Sequence, residues 1–515
     1  MSASSADGPT ALDVLKGWLA RRGQSAEFRE THASVVALTR DRVFKMKKPV
    51  RYSFVDLSTP RLRLNVCERE VRLNARLAPD VYLGVVPITS ETGVIVDHAV
   101  EMIRLPDANR LDSLLGADRA ASCVDAVAAR MAEFHASAAT SPQICQVASP
   151  GGVRALWDAE VAGISQYVGT VVDAESVAEI DALAHRYLAG RHELFESRLT
   201  SGRIRDGHGD LRADQVFCMP DGPRMIDCLE FDDELRWGDV LADVGFLAMD
   251  LEWLGRPDVA RDFLSAYKRQ SGDTWPKSLE HHWIGYRALV RAKVGCIRAE
   301  MGDALARGHA RGHLDLARSH LGDAQVRLIL IGGLPGTGKT TLARELSEAV
   351  DDPVLLRSDV VRNQLAGIPR AEESQGFGHG RYQAEFVDQV YEEMLRQAGH
   401  LLTLGEDVVL DASWSSQRHR QAAMDLGGKA SADLIALECH VPTDVAEARI
   451  RARSAADESE ADVGVFRTMA RLTDHWPEAE RIATNADPRV VAERGLGAID
   501  RAQRQYRYRP STGRA

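Results

Sequence analysis

Apolar positions along the chain follow two different rhythms. Up to about residue 105 they form short runs over Glu27–Thr31, Ser34–Leu38, Arg42–Lys47, Val81–Ile88 and Val94–Arg104, which predicts strands. One helix is predicted over Arg61–Leu77, after the turn Leu57-Ser58-Thr59-Pro60. From Leu111 to about Leu321 the apolar residues recur at three- and four-residue intervals. Helices are therefore predicted over Ala120–Ala138, Ser176–Leu199, Val240–Leu254 and His281–Arg307. Thr140–Gly152, with two prolines and two glycines, reads as a loop, and Arg205–Phe231 as short strands breaking the helical pattern.

Beyond residue 322 the rhythm changes again. Strand candidates Val326–Ile331, Val354–Arg357, Asp407–Leu410 and Leu434–His440 alternate with helical segments, which implies a parallel sheet with helices on both faces. The expected organisation is two domains, 1–322 and 323–515. The first is α+β, with a small β lobe and a helical lobe; the second is α/β. Tyr506–Ala515 reads as a frayed tail.

Directly after the run Val326–Ile331 stands Gly332-Gly333-Leu334-Pro335-Gly336-Thr337-Gly338-Lys339-Thr340, followed by a helical run from Thr341 to Val350. Strand, glycine-rich loop, Lys-Thr and helix in that order form a phosphate-binding loop. Its glycines let consecutive backbone N–H groups turn inward around phosphates, and the helix adds its positive N-terminus. Residues Gly333 to Thr341 are thus the candidate nucleotide cradle, with Lys339 on the β- and γ-phosphates and the Thr340 hydroxyl on Mg²⁺.

Bulk properties narrow the class. At 515 residues the chain exceeds one hydrophobic core. A hydrophobic share of 44% with 27% charged residues is ordinary for a globular protein, and no apolar run reaches the ~20 residues of a membrane span. The start, Met1 to Leu15, has no basic-then-apolar leader pattern. Seven scattered cysteines without a C-x-x-C pair predict reduced thiols and no structural zinc, hence a soluble cytoplasmic protein. The net charge of −11 argues against a general nucleic-acid binder, although local basic patches stay open.

In the first half, His208-Gly209-Asp210-Leu211-Arg212-Ala213-Asp214-Gln215 resembles the catalytic loop of the aminoglycoside phosphotransferase family, H-G-D-L-H-x-x-N. Ile226-Asp227, Gly238-Asp239 and Ala242-Asp243-Val244 follow in the family's order, and the resemblance spans roughly residues 20–322. It implies a bilobal protein-kinase-like fold in which Asp210 orients or deprotonates the attacking hydroxyl and Asp227 holds Mg²⁺. The second metal ligand falls on Gln215, one methylene longer than the family's Asn. Lys45 resembles the strand lysine that grips the α/β-phosphates, with Glu70 as its partner; Lys47, on the same strand face, is the alternative. No G-x-G-x-x-G precedes this lysine. The acidic run Glu230, Asp232, Asp233, Glu234 reads as a solvated loop.

Residues 326 to about 505 resemble small P-loop kinases of the gluconate kinase, zeta toxin and polynucleotide kinase type. The element that points there is Leu355-Leu356-Arg357-Ser358-Asp359-Val360-Val361-Arg362. The resemblance gives Asp359 the acceptor hydroxyl and Arg362 a phosphate or substrate contact; their spacing puts both on one side of a helix start. Asp411 matches a Walker-B-like carboxylate for Mg²⁺, or a wall of the acceptor pocket. Arg449 and Arg453, on one helix face, resemble lid arginines, and an exposed basic face would look the same. Gly376–Tyr382 reads as a substrate flap.

Together the halves resemble bifunctional aminoglycoside phosphotransferase/ATP-binding proteins. The expected activity is ATP- and Mg²⁺-dependent phosphoryl transfer to a small-molecule hydroxyl acceptor, with a site in each half. Two alternatives remain: a 5′-hydroxyl kinase of nucleic acid in the second half, and a nucleotide-binding pseudokinase in the first.

Overall fold

The computed structural model describes residues 9–31, 33–52, 55–116, 119–349, 353–366, 384–452 and 462–507. Its strands are β1 (Glu27–Glu30), β2 (Ser34–Leu38), β3 (Arg42–Lys47), β4 (Arg51–Tyr52), β5 (Val55–Asp56), β6 (Tyr82–Thr89), β7 (Ile95–Ile103), β8 (Ile204–Asp206), β9 (Val216–Met219), β10 (Gly222–Met225) and β11 (Trp237–Asp239) in the first half. The second half adds β12 (Arg327–Gly332), β13 (Val354–Arg357), β14 (Val408–Asp411), β15 (Asp433–His440) and β16 (Glu480–Ala483). Packing separates two compact units, residues 1–153 with 198–274, and residues 154–197 with 275–515. The helical segments on either side of 198–274 therefore pack with the phosphate-loop region, across the pattern change at 322.

In the first unit an antiparallel sheet runs in the order β1-β2-β3-β7-β6. A helix not singled out from the sequence, Ala11–Arg21, starts with a Thr10/Asp13 capping box. It buries Leu15, Trp18 and Leu19 against Val35, Phe44 and Met46 of the sheet. Each such side chain removed from water is worth about 1.5–3 kcal/mol. The predicted helix after Pro60 is Pro60–Asn74; the Thr59 side chain caps it, and proline takes the first turn, where its missing N–H costs nothing.

Thr140–Gly152 is not a loop. It holds the helix Pro142–Val147, capped by Ser141, and the start of the helix Pro150–Ser165, each proline opening a first turn. Ser176–Leu199 divides into Ala174–Ala189 and His192–Thr200, and His281–Arg307 into Lys277–Glu300 and Ala306–Asp323. Gly302, at φ 93°, ends the first of that last pair in the left-handed region.

Two further expectations are corrected. Cys123, on the helix Arg119–Ser137, forms a disulfide with Cys218 on β9, their Cα atoms 5.8 Å apart. Ninety-five residues separate them, so spacing carried no sign of the pairing. Glu230 is buried, not solvated, because it meets Lys47.

The second unit holds the parallel sheet β13-β14-β12-β15-β16. Its core joins Ile329, Ile331, Val409 and Leu437 to Leu342 and Leu346 of the helix Lys339–Ala349, and to Val491 and Ile499 of the helix Pro488–Arg507. Strands buried on both faces read as continuous apolar runs, which is why β12 and β14 were legible. Within this unit Arg186 pairs with Asp433 at 2.5 Å, and Ser278 donates to the Gly405 carbonyl at 2.6 Å. No described helix is long and apolar enough to cross a membrane.

Candidate functional site

The carboxyl end of β12 delivers the phosphate loop. Gly333, Gly336 and Gly338 have φ of 130°, 80° and 86°. A Cβ on Gly336 would lie 2.7 Å from the Ala446 carbonyl oxygen, so only glycine fits that turn. The Thr337 hydroxyl donates to the Leu334 carbonyl at 2.8 Å, and the Lys339 ammonium reaches the same oxygen at 3.0 Å. Helix Lys339–Ala349 begins at the lysine, so its positive N-terminus lies at the end of the loop.

Parallel register sets Ile331 of β12 and Arg357 of β13 beside Asp411, the last residue of β14. The Thr340 hydroxyl donates to Asp411 Oδ2 at 2.7 Å, and the Arg357 guanidinium stands 3.5 Å from the same oxygen. Burial pushes the Asp411 carboxyl up from its ordinary range, against the pull of Lys339, the Thr340 hydrogen bond and Arg357. A hard-oxygen pair at the mouth of a phosphate cradle suits Mg²⁺, which would be held by Thr340 and Asp411 and would neutralise phosphate charge. Among the described residues no three His, Cys, Asp or Glu side chains gather as metal ligands. Magnesium needs no such cage when phosphates complete its shell.

A cavity of about 1090 Å³ joins this cradle to residues at the carboxyl ends of β13 and β14. Pro335, Gly336, Gly338, Lys339, Thr340 and Thr341 line it together with Asp359, Arg362, Asp411 and Arg449. Arg362 donates to Asp359 at 2.7 Å on the helix Ser358–Ala366. Arg449 donates to the Thr484 carbonyl at 2.9 Å, while Arg451 pairs with Glu447 instead. Arg453 and the segment 376–382 lie outside the described residues; of the rest of the predicted set in this half, Gly333, Leu334 and Thr337 do not line the cavity and the others do. Sequence reasoning missed Arg357, Asp388, Tyr391, Ser413 and His419, which line the same cavity. The serine-rich stretch Ser413-Trp414-Ser415-Ser416 after β14 was the available signal.

The first unit gathers its own predicted residues. Lys45 of β3 pairs with Glu70 at 2.9 Å and with Asp227. Lys47, two residues on and fully buried, pairs with Glu70 at 2.7 Å and with Glu230 at 2.5 Å. Burial lowers the affinity of both ammonium groups for their protons, yet the surrounding carboxylates, Asp227 foremost for Lys45 and Glu230 for Lys47, raise it above the ordinary value. Burial alone would lift the Asp227 carboxyl; Lys45 holds it well below the usual range. Asp227 itself sits at φ 63°, and its N–H donates to the Tyr82 hydroxyl at 3.1 Å. A carboxylate kept in a sparsely populated backbone region is over-determined by its neighbours.

Asp210 Oδ2 accepts from Gln215 Nε2 at 3.1 Å and from Arg212 Nε at 3.3 Å. Gln215 Nε2 also reaches Asp227 Oδ2 at 3.5 Å, while its Oε1 is buried without a hydrogen-bond partner. That orphaned oxygen is a fitting donor for Mg²⁺ beside Asp227, once the amide turns over. The loop is braced by buried Asp243, which accepts from the N–H groups of His208 and Gly209, both at 2.8 Å, and from His135 Nε2 at 3.0 Å.

A family profile described as "AAA domain" matches residues 328–475. Uncharacterized protein Rv2004c of Mycobacterium tuberculosis (strain ATCC 25618 / H37Rv) is 39% identical over 477 residues, covering 92% of this chain and 94% of that protein. Uncharacterized protein Mb2027c of Mycobacterium bovis (strain ATCC BAA-935 / AF2122/97) matches to the same extent. Among solved structures, a choline/ethanolamine kinase family protein from Mesorhizobium loti covers 58% of this chain and 92% of its own, at 13% identity and TM-score 0.38. The aminoglycoside 2′-phosphotransferase-IIIa covers 60% and 98%, at 16% identity and TM-score 0.36. A gluconokinase from Sinorhizobium meliloti 1021 covers 35% of this chain and 96% of its own, at 17% identity and TM-score 0.26. At 39% identity over 92% of its length, the chain belongs to the same family as the mycobacterial proteins Rv2004c and Mb2027c.

Proposed function

We propose that the chain is an ATP-dependent phosphotransferase with a nucleotide centre in each half, acting on small hydroxylated molecules. The observation that carries it is the single cavity in which Lys339, Thr340 and Asp411 stand with Asp359 and Arg362. In that cavity Asp359 takes the proton of the acceptor hydroxyl. The hydroxyl oxygen bonds to the γ-phosphorus of ATP, the bond to the β,γ-bridging oxygen breaks, and its electron pair leaves with ADP. Lys339, Arg362 and Arg449 offset charge on the transferring group, where guanidinium and ammonium donors are most effective. Bound Mg²⁺ supplies further charge neutralisation. In the first half, Lys45, Asp210 and Asp227 fill the corresponding roles.

The test is ADP release by the full chain with a panel of acceptors, comparing Lys339→Ala and Asp210→Ala. Each variant is expected to abolish a separable share of phosphoryl transfer. Unchanged transfer in both would overturn the reading.

A second reading of the first half has a specific observation behind it. Asp210 Oδ2 already accepts from Arg212 and Gln215, so that oxygen is engaged within the chain before an acceptor hydroxyl arrives. On this reading the first half binds nucleotide and regulates the second. Nucleotide binding that survives in Lys339→Ala, with no consumption, supports it; turnover there rules it out. A nucleic-acid 5′-hydroxyl as acceptor is disfavoured by the net charge of −11.

A further inference from the structure

The part of the P-loop cavity beyond Asp359 is built from a strap and two helices. Helix Ala384–Thr403 presents Asp388 and Tyr391, three residues apart and hence on one face. Helix Gln417–Lys429 presents His419, whose Nε2 donates to Asp388 Oδ1 at 2.7 Å. The imidazole stacks on the Tyr391 ring, centroids 4.0 Å apart and planes 10° from parallel. Between β14 and the second helix runs the strap Ala412–Ser416.

The strap is held in an unusual backbone state. Trp414, 1% exposed, lies at φ 51°, a region that bulky side chains rarely occupy. Three hydrogen bonds keep it there. The Trp414 N–H donates to the Tyr391 hydroxyl at 3.1 Å, its indole N–H donates to the Leu410 carbonyl at 3.3 Å, and the Gly333 N–H of the phosphate loop donates to the Ser413 carbonyl at 3.2 Å. The Tyr391 hydroxyl and Ser413 Oγ share a hydrogen bond at 3.1 Å in which either can donate, and Ser413 Oγ also lies 3.5 Å from Ser415 Oγ. Tyr391 and Ser413 both line the cavity, where their hydroxyls can donate to or accept from a ligand hydroxyl. Strain of this kind persists only where neighbours enforce it, and it collects at binding and catalytic positions.

Charge on this part of the lining is closed within the chain. Arg362 is taken by Asp359 at 2.7 Å, Arg357 stands 3.5 Å from Asp411, and Asp388 accepts from both His419 and Arg418, the latter at 2.8 Å. An anionic acceptor would have to break one of these pairs, and a buried charge stripped of its partner is costly. A neutral hydroxylated ligand needs no such break. It finds a serine hydroxyl, a tyrosine hydroxyl and carboxylate edges, the groups that read hydroxyls.

We infer that Tyr391, Ser413 and the Asp388–His419 pair form the acceptor subsite of the P-loop cavity, and that it takes a neutral polyhydroxylated ring such as a sugar or a cyclitol. Tyr391 and Ser413 are specificity-determining contacts; Asp388 and His419 position Tyr391 through the stack. This inference rests on the phosphotransfer reading above.

The experiment follows ADP release by the full chain with ATP and four acceptor classes: neutral sugars and cyclitols, amino sugars, sugar acids and sugar phosphates, and oligonucleotides with 5′-hydroxyl ends. Neutral acceptors are expected to lead in kcat/KM by about tenfold or more. On the preferred acceptor, Tyr391→Phe and Ser413→Ala should each raise its KM about tenfold while the KM for ATP moves less than about threefold. Tyr391→Phe keeps the ring and the stack but removes the acceptor of the Trp414 N–H, so Ser413→Ala, which leaves that bond in place, controls for strap distortion, and a cooperative thermal transition checks the fold of both. Turnover that favours a charged class, or an acceptor KM unmoved in both variants, overturns the inference and leaves phosphotransfer standing. Absence of turnover with any class, with Lys339-dependent ATP affinity intact, overturns both.

Discussion

The Thr340 hydroxyl donates to Oδ2 of Asp411 across 2.7 Å, joining the first turn of the helix after the phosphate loop to the tip of the neighbouring strand. Two residues 71 positions apart thereby present oxygen ligands to one point, and burial raises the carboxyl's affinity for a positive partner. Replacing Thr340 by Val keeps the shape and removes that ligand. Thr340→Val should weaken magnesium-dependent ATP binding about 10–100-fold, measured by titration calorimetry with and without Mg²⁺. Equal weakening in the absence of the cation would count against a metal role.

Lys339 is the ammonium that closes the cradle, and its side chain already bends to the Leu334 carbonyl at 3.0 Å. Lys339→Ala should lower P-loop-dependent turnover about 10²–10³-fold, the usual loss for a preorganised donor on developing charge. Single-turnover measurements with labelled ATP check it.

The buried Lys47 lies between Glu70 at 2.7 Å and Glu230 at 2.5 Å. Removing only the cation strands Glu230 and leaves Glu70 to Lys45 alone, so Lys47→Met should cost about 3–5 kcal/mol. Pairing it with Glu230→Leu should restore much of the loss, since Lys45 still holds Glu70 and Asp227. Denaturant unfolding of the two variants decides this. A single variant as stable as the parent chain would show that the cluster contributes nothing.

His282 gives the second unit a pH dependence. Its ring is fully buried, accepts the Trp157 indole N–H at 3.0 Å and stacks on Tyr187 at 4.5 Å; burial pushes its pKa down to about 3. An unfolded chain takes up that proton near pH 6.5, so folding is favoured fully above 6.5. Stability should then fall by about 1.4 kcal/mol per pH unit as pH drops from 6.5 towards 3. His282→Gln keeps an acceptor for Trp157 without titrating. Its melting temperature should therefore change less than that of the parent between pH 7.5 and 4.5.

Local chemistry was the legible part of this fold. The turn of Gly333, Gly336 and Gly338, the Lys-Thr pair and the apolar runs β12 and β14 are all contiguous signals, and the structure places them as read. Lys45 and Glu70 meet at 2.9 Å as the family order implied. The misses share a physical cause. Glu230 looked like one more charge in a solvated acidic run, until a lysine 183 residues earlier paired with it. Cys123 and Cys218, and the Asp388–His419–Tyr391 cluster, depend on which helices lie side by side, and no local pattern encodes that. The helix breaks at Gly190 and Gly302 fell inside otherwise regular apolar rhythms, where a single glycine is a weak stop.

The interleaving of 154–197 and 275–323 with the phosphate-loop region bears on how this protein can be inherited and dismantled. A ribosome completes the first body at residue 274, before it reaches the glycine cradle, whereas the second body already owns the earlier stretch 154–197 and waits for its last strands. Splitting the gene near residue 322 would leave the second product without 154–197 and 275–322, which pack with it. Selection should therefore preserve the two halves as one reading frame, and trimming from either end should inactivate before it simplifies.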